Sequence, residues 1–324
     1  MIDAFRLIYI WEIVLKIGIV GTGHVGSTAA YSLVLQGVGS EVVLIDQNRL
    51  LAEAHVMDIL HATPFSHPVH LYSGNFSDLA GAALVILAAG VGQLPGETRM
   101  QLLQRNAAIF EDIVPKIIQY ATDAVLLVAT NPLDIMTQIT TKLAGLPTSQ
   151  VIGTGTILDT ARFRALLGEL YKVSPNSIHA YVLGEHGDSE VLLWSGAEVA
   201  GIPLEQFSAA SGYPLTEDLM RKVDHNVRRA AYHIINGKGA TYYGIGAALA
   251  CLSRCILYDE RTVLTACSVV PEIEGITNVA LSLPVVIGHR GIHATLQPPI
   301  NQGERKALRE SALLIKNGAA GLGY

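Results

Sequence analysis

Three side chains near the middle of the chain have the types needed to move a proton on a small anion. Asp159 and Arg162 are three apart in a helical stretch, so they share a face. His186 lies in Gly184-Glu185-His186-Gly187-Asp188, a glycine-flanked turn from which a side chain can reach a cleft. An imidazole titrates near neutrality and can exchange a proton with a substrate hydroxyl. A carboxylate on its other nitrogen would orient it and favour the imidazolium. An arginine fork suits a substrate carboxylate. Spacing alone leaves a surface ion pair and a turn histidine equally open. A fourth candidate, Arg99, ends the Gly- and Pro-containing loop Gly92-Gln93-Leu94-Pro95-Gly96-Glu97-Thr98-Arg99 and could enter a site on closure.

A second constellation is Gly21-Thr22-Gly23-His24-Val25-Gly26, after an apolar run and before a helical stretch. Glycines there permit a tight turn, close approach of a pyrophosphate and helix–strand packing, and the helix N-terminus offers free N–H groups. Asp46 follows Gly26 by 20 residues, at the end of the next apolar run. A carboxylate at that place hydrogen-bonds an adenosine ribose and repels the extra phosphate of NADP. The motif therefore points to NAD.

These groups need a scaffold. Ile17 to Val20, Glu41 to Asp46, Val69 to Tyr72, Ala83 to Ala88, Ala124 to Ala129 and Val151-Ile152 are short apolar runs separated by helical stretches. Continuous rather than alternating runs indicate strands buried on both faces, hence a doubly wound parallel sheet. After about Thr156 the pattern changes. A helix over Leu158 to Tyr171 leads to strand-like Ile178 to Leu183 and Val191 to Trp194. Helices over about Glu217 to Asn236 and Tyr242 to Tyr258 follow. Strands over Thr262 to Val270 and Asn278 to Ile287 come next, with a last helix from near Gln302. The expected fold class is α/β: a Rossmann-type doubly wound parallel sheet (15–156, NAD-binding) followed by a mixed α+β substrate domain (157–324). Residues 1–14 form an extension of uncertain structure, too short and too charged to span a bilayer.

The 324 residues are half apolar and 15% charged, with net charge −6. That composition excludes intrinsic disorder and gives no global basic field for nucleic acid. The three cysteines, Cys251, Cys255 and Cys267, are an odd set in apolar surroundings, read as buried thiols of a cytoplasmic protein. His55 and His61 are six apart, about 240° around a helix, so with Asp58 they cannot share one face, and no metal site is expected.

The chain from about Leu15 resembles the L-lactate dehydrogenases of the lactate/malate dehydrogenase family. GTGHVG, VVLID, AAGVGQLPGETR, RNAAIF, VATNPLD, GTGTILDTARFR, HAYVLGEHGDSE and GATYYGIG carry the resemblance. It implies His186 as proton donor and acceptor, Asp159 as its partner, and Arg162 on the substrate carboxylate. It implies Arg99 on the substrate carbonyl, Asn131 on substrate and nicotinamide, and Thr241 in the substrate pocket. Gly21, Gly23, Val25, Gly26, Asp46, Gly90, Val91, Thr130, Asn131 and Thr154 are expected along the cofactor, with Asn131-Pro132 cis. Malate enzymes of the family carry arginine where Gln93 stands; a neutral residue suits the methyl of pyruvate. Leu94 departs from the polar residue often found next, which leaves larger 2-oxo acids open. Arg162 and Arg164 are two apart, about 200° around a helix, so Arg164 points away from the site. The resemblance matches Arg164 and His179 to the residues that bind fructose 1,6-bisphosphate between subunits of allosteric bacterial enzymes. It implies a homotetramer closing lactic fermentation. The rival readings are an NAD-dependent malate or other L-2-hydroxy acid dehydrogenase, and a non-catalytic dinucleotide-binding protein.

Overall fold

The computed structural model describes residues 15–92, 94 and 96–324. The extension expected over 1–14 and the specificity position Gln93 lie outside the described residues, and for Arg99 only the backbone is described.

Six strands form the parallel part of the main sheet: β1 (Lys16–Val20), β2 (Glu41–Ile45), β3 (His70–Ser73), β4 (Leu84–Leu87), β5 (Val125–Val128) and β6 (Val151–Gly153), in spatial order 3-2-1-4-5-6. The helices between them are α1 (His24–Gln36), α2 (Arg49–Leu60), α3 (Arg99–Tyr120) and α4 (Leu133–Ala144). Successive side chains alternate between two cores. Ile17, Val42, Leu44, Leu84 and Ile86 pack on one face with α1 and α2 residues such as Leu33 and Val56. Val43, Val85, Leu87, Leu126 and Val128 pack on the other with Phe110 and Val114 of α3 and Met136 of α4. The buried two-sided strand explains why the runs are apolar throughout.

The second half begins with α5 (Ile157–Tyr171). The run expected as one strand over Ile178 to Leu183 breaks into β7 (Ile178–His179) and β8 (Val182–Leu183), because the two pieces pair with different partners. β8 pairs with β9 (Val191–Leu192). β7 pairs with β10 (Glu198–Val199), which also takes β11 (Ile202–Pro203). Helices α6 (Leu204–Ala210), α7 (Glu217–Lys238) and α8 (Tyr243–Leu257) follow, then β12 (Thr262–Ile273), β13 (Ile276–Gly288), β14 (Gly291–Thr295) and α9 (Gln302–Ala320).

The long hairpin is not separate from the first half. β12 joins β6 antiparallel through Cys267 and Gly153, so one nine-stranded sheet runs β14-β13-β12-β6-β5-β4-β1-β2-β3. A third core, with Phe163 and Leu167 of α5, Val182 of β8 and Val223 of α7, supports the loop after β8. No helix among the described residues is long and apolar enough to cross a membrane.

Candidate active site

The glycine loop between β1 and α1 has three glycines with different reasons to be there. Gly21 has φ +95°, and a Cβ on it would lie 2.3 Å from the Ala89 amide nitrogen. A Cβ on Gly26 would lie 1.9 Å from the Gly21 carbonyl oxygen. Turn geometry and helix–strand packing fix these two. A Cβ on Gly23 would meet nothing within 4 Å, and α1 has no side-chain cap there. The helix start therefore faces open space with free N–H groups, which fits a pyrophosphate. Asp46 caps the arrangement from β2. Its Oδ2 accepts the Thr22 amide at 2.6 Å and the Thr22 hydroxyl at 3.0 Å, and its Oδ1 accepts the Asn48 amide at 2.9 Å. The carboxylate is held in place yet half-exposed, as a ribose acceptor must be. The donor set and the cradle fit NAD.

Further along the carboxyl edge, Gly90 leaves room for Thr130, whose Cγ2 would lie 2.7 Å from a Cβ there. The Thr130 hydroxyl donates to the Ala89 carbonyl at 2.7 Å, and the buried Thr154 amide donates to Val128. Val25 is half-buried at the start of α1. Asn106, 1% exposed on α3, accepts the Val91 amide at 2.9 Å and donates to the Asn131 carbonyl at 2.8 Å. It ties two expected cofactor positions together. Sequence reasoning assigned it no role, although a lone amide on the apolar face of α3 was a signal. Arg99, expected in a loop, is the first residue of α3, because Thr98 and Gln101 cap each other's backbone amides and start the helix there.

A cavity of about 290 Å³ at the same edge is lined by Asn131, Asp159, Arg162, His186, Glu190 and Arg228, among others. The Asn131-Pro132 peptide beside it is cis. His186 Nδ1 lies 2.6 Å from Asp159 Oδ2, and Arg162 Nη1 donates to Asp159 Oδ1 at 2.6 Å. Asp159 is 2% exposed and divides its two oxygens between the two cations. Among the described residues, His186 Nε2 and the other Arg162 guanidinium nitrogens carry no hydrogen bond. Burial disfavours the imidazolium, but the charge and hydrogen bond of Asp159, helped by Asp134 and Glu190, raise His186 to about 9. Burial alone would raise Asp159, since it disfavours the carboxylate as it does the imidazolium. The His186 charge and hydrogen bond and the Arg162 charge outweigh it and hold the carboxyl below its usual range. At neutral pH the pair is an imidazolium against a carboxylate.

Two further buried acids adjoin the histidine. Asp134, in the first turn of α4, accepts the His186 amide at 2.7 Å, and burial pushes it up to about 6. Glu190 is 3% exposed, and burial and the Asp159 charge push it up to about 8. Neither was singled out from sequence, since a single acid within a motif carries no spacing signal.

Thr241 lines a neighbouring cavity of about 590 Å³ with Leu158, Ala161, Tyr242 and Tyr243; Arg162 is the wall the two cavities share. Arg164 is turned away from Asp159. It is half-buried rather than fully solvated, because Nε donates to the Ala180 carbonyl at 2.9 Å and the guanidinium lies over the Tyr181 ring at 5.1 Å. His179 is exposed at the end of β7, one residue from Ala180.

A charged proton donor, a cation for a carboxylate and a dinucleotide cradle on one sheet edge can together perform proton-coupled hydride transfer on a small anion. Comparison with known proteins agrees. Residues 15–153 match the lactate/malate dehydrogenase NAD binding domain, and residues 156–320 match the lactate/malate dehydrogenase alpha/beta C-terminal domain. An L-lactate dehydrogenase of Thermus aquaticus is 61% identical over 310 residues, 96% of this chain and 100% of the relative. One from Geotalea daltonii is 51% identical over 306 residues, 94% of this chain and 98% of the relative. The crystal structure of a minor L-lactate dehydrogenase from Enterococcus mundtii, in a ligands-bound form, superposes with a TM-score of 0.92 at 37% identity. It covers 96% of this chain and 99% of its own. The chain belongs to the lactate/malate dehydrogenase family, whose members are NAD-dependent oxidoreductases.

Proposed function

We propose that this chain interconverts (S)-lactate and pyruvate: (S)-lactate + NAD⁺ = pyruvate + NADH + H⁺. The observation that carries this is His186, charged through Asp159, in one cavity with Arg162 beside the NAD cradle. Residues 15–156 serve the cofactor and 157–324 the substrate. NAD, held along Gly21–Gly26 and Asp46, would supply or accept the hydride at C2 of the substrate. The chain's own residues do the rest. Arg162 offers its unoccupied guanidinium nitrogens to the substrate carboxylate and fixes the molecule against His186. His186 donates its Nε2 proton to the carbonyl oxygen during pyruvate reduction and takes it back during lactate oxidation, worth roughly 10²–10⁴-fold. Asp159 keeps the imidazole oriented and charged until the proton leaves. Arg99, at the head of α3, stabilises the developing oxyanion. Asn131 would contact both substrate and nicotinamide, and Thr241 would line the substrate pocket.

A neutral Gln93 favours a methyl group over a second carboxylate, which supports lactate over malate. An intact proton-transfer set, which a pure binder does not need, speaks against a non-catalytic role. The enzyme closes lactic fermentation in the cytoplasm as a homotetramer, with Arg164 and His179 binding fructose 1,6-bisphosphate as activator. The test is NADH oxidation across a panel of 2-oxo acids: pyruvate is the best substrate, and preference for oxaloacetate moves the assignment to malate.

A further inference from the structure

His186 is held from two sides, and only one of them is its ring. Its turn opens at Gly184, at φ +86° and hydrogen-bonded to Ser282 in both directions, and Glu185, whose amide donates to Ser311 Oγ at 2.8 Å; the His186 amide is the next donor along the chain. Asp134 reaches that turn from α4. It is 2% exposed among Leu133, Ile135 and Met136, and its Oδ2 accepts the His186 backbone N–H at 2.7 Å. Its Oδ1 is fully buried, and the Cys267 thiol is the further group that reaches the carboxylate. Burying a carboxylate is costly, and an asparagine would accept the same N–H without the charge. The charge therefore needs a use beyond the tether. The same helical turn follows Asn131 by three residues, so one rigid element carries both Asn131 and the anchor of His186.

We propose that Asp134 is a positioning residue for the proton transfer, fixing the His186 backbone to the α4 turn that follows Asn131 and lending its negative charge to the imidazolium. This rests on the reading of His186 as proton donor. The groups facing Asp134 are His186 and Glu185 from the loop after β8 and Cys267 from β12. Glu185 is a like charge. Cys267 stays a neutral thiol, because burial and the Asp134 charge push it well up. Those facing His186 are Asp159 on α5, Asp134 and Glu190, with Arg162 and Arg228 on the cavity wall. Burial is the largest influence on Asp134 and leaves it at about 6, so it is ionised wherever His186 is working near neutral pH. Asp159 bonds the ring and Asp134 the backbone, while both charges act on the imidazolium, so it is the tether, lost in Asp134→Ala and kept in Asp134→Asn, that kinetics isolates.

The experiment compares Asp134→Asn and Asp134→Ala with the unmodified protein, following kcat/KM for pyruvate against pH, with NADH binding as a control for folding. Asp134→Asn keeps an acceptor and removes the charge. Its alkaline limb moves down by about one pH unit, with near-normal turnover below the limb. Asp134→Ala removes the tether as well. Its kcat falls at least about tenfold at every pH, while KM for pyruvate stays within about twofold, since misplacing the acid does not touch the carboxylate site. An alkaline limb unmoved in an Asp134→Asn protein that binds NADH overturns the proposal. Amide hydrogen exchange on the unmodified protein tests the tether without any variant: slow exchange at His186 supports it, and exchange as fast as at Gly187 overturns it. An unmodified protein without pyruvate turnover refutes the functional reading instead, and exchange at His186 still decides the tether.

Discussion

Replacing Asp159 by Asn removes the largest favourable influence on His186 while keeping shape and one acceptor oxygen. The imidazolium is held at about 9 against an ordinary 6.5. That difference corresponds to about 3 kcal/mol of preference for the charged form. At pH 7.5 the unmodified His186 is almost wholly protonated. Once the carboxylate is gone, burial of the ring works unopposed by its nearest anion, and the histidine falls toward or below its ordinary value. Only about a tenth of the enzyme then carries the proton at pH 7.5, a tenfold loss of kcat/KM for pyruvate. Orientation is weakened in the same step, because one amide oxygen replaces the two that serve His186 and Arg162 separately. Arg162 also loses an ionic partner at 2.6 Å. The combined loss is about 10²–10³-fold at pH 7.5, within the range for general acid catalysis. The assay is stopped-flow NADH oxidation from pH 5 to 10. The unmodified enzyme shows an alkaline limb near pH 9, and Asp159→Asn shows it shifted down by two units or more. A variant whose limb stays near 9 would refute the assignment of Asp159 as the source of the imidazolium's stability.

Other outcomes follow from the same site. Stability has a definite pH sign: His186 is raised, so its contribution is complete below about 6.5 and is lost as pH rises through about 9. Urea midpoints should fall across that window, and His186→Asn should make the fall shallower; an identical slope in both proteins contradicts the pairing. Asp46→Ser removes the charge that meets a 2′-phosphate, so the NADPH-to-NADH ratio of kcat/KM should rise at least about tenfold. Gln93→Arg supplies a partner for a second carboxylate and an uncompensated charge against a methyl group. The oxaloacetate-to-pyruvate ratio should swing by at least about 3 kcal/mol, about a hundredfold. Fructose 1,6-bisphosphate should lower the apparent KM for pyruvate, and Arg164→Gln should abolish the response; sedimentation with and without the sugar tests the assembly.

The first half of the molecule was legible because its strands are buried on both faces. Runs such as Leu84 to Leu87 have no polar residue to disguise them, and the glycines and Asp46 mark their ends. The second half was less so. Ile178 to Leu183 looks like one strand, yet it divides at Ala180 and Tyr181 between two small sheets, so its ends pair with different strands. The junction of β12 with β6 is a single register pair, Cys267 with Gly153, and nothing local in either segment specifies it. In the site, Asp159, Arg162 and His186 were readable from residue type and helical spacing, and their roles came from the resemblance. Asp134, Asn106 and Glu190 were not, because each acts through a long-range contact to a backbone group or a charge that only folding brings near. Thr241, expected along the substrate pocket, lines a cavity that shares Arg162 with the one holding His186.

The nine-stranded sheet has a consequence for exchanging halves between relatives. A cut near residue 156 falls between two matched regions and looks like a boundary, but it passes beside a strand pair rather than through a tether. An N-terminal fragment ending there presents β6 as a bare edge, with its amides and carbonyls ready to pair with another copy. A chimera joined at 156 inherits the β6–β12 seam from two parents, and the packing of Thr137, Gly153 and Cys267 must match across it. Grafts that carry the β12–β13 hairpin together with the parallel strands should stay soluble where simple half-swaps aggregate.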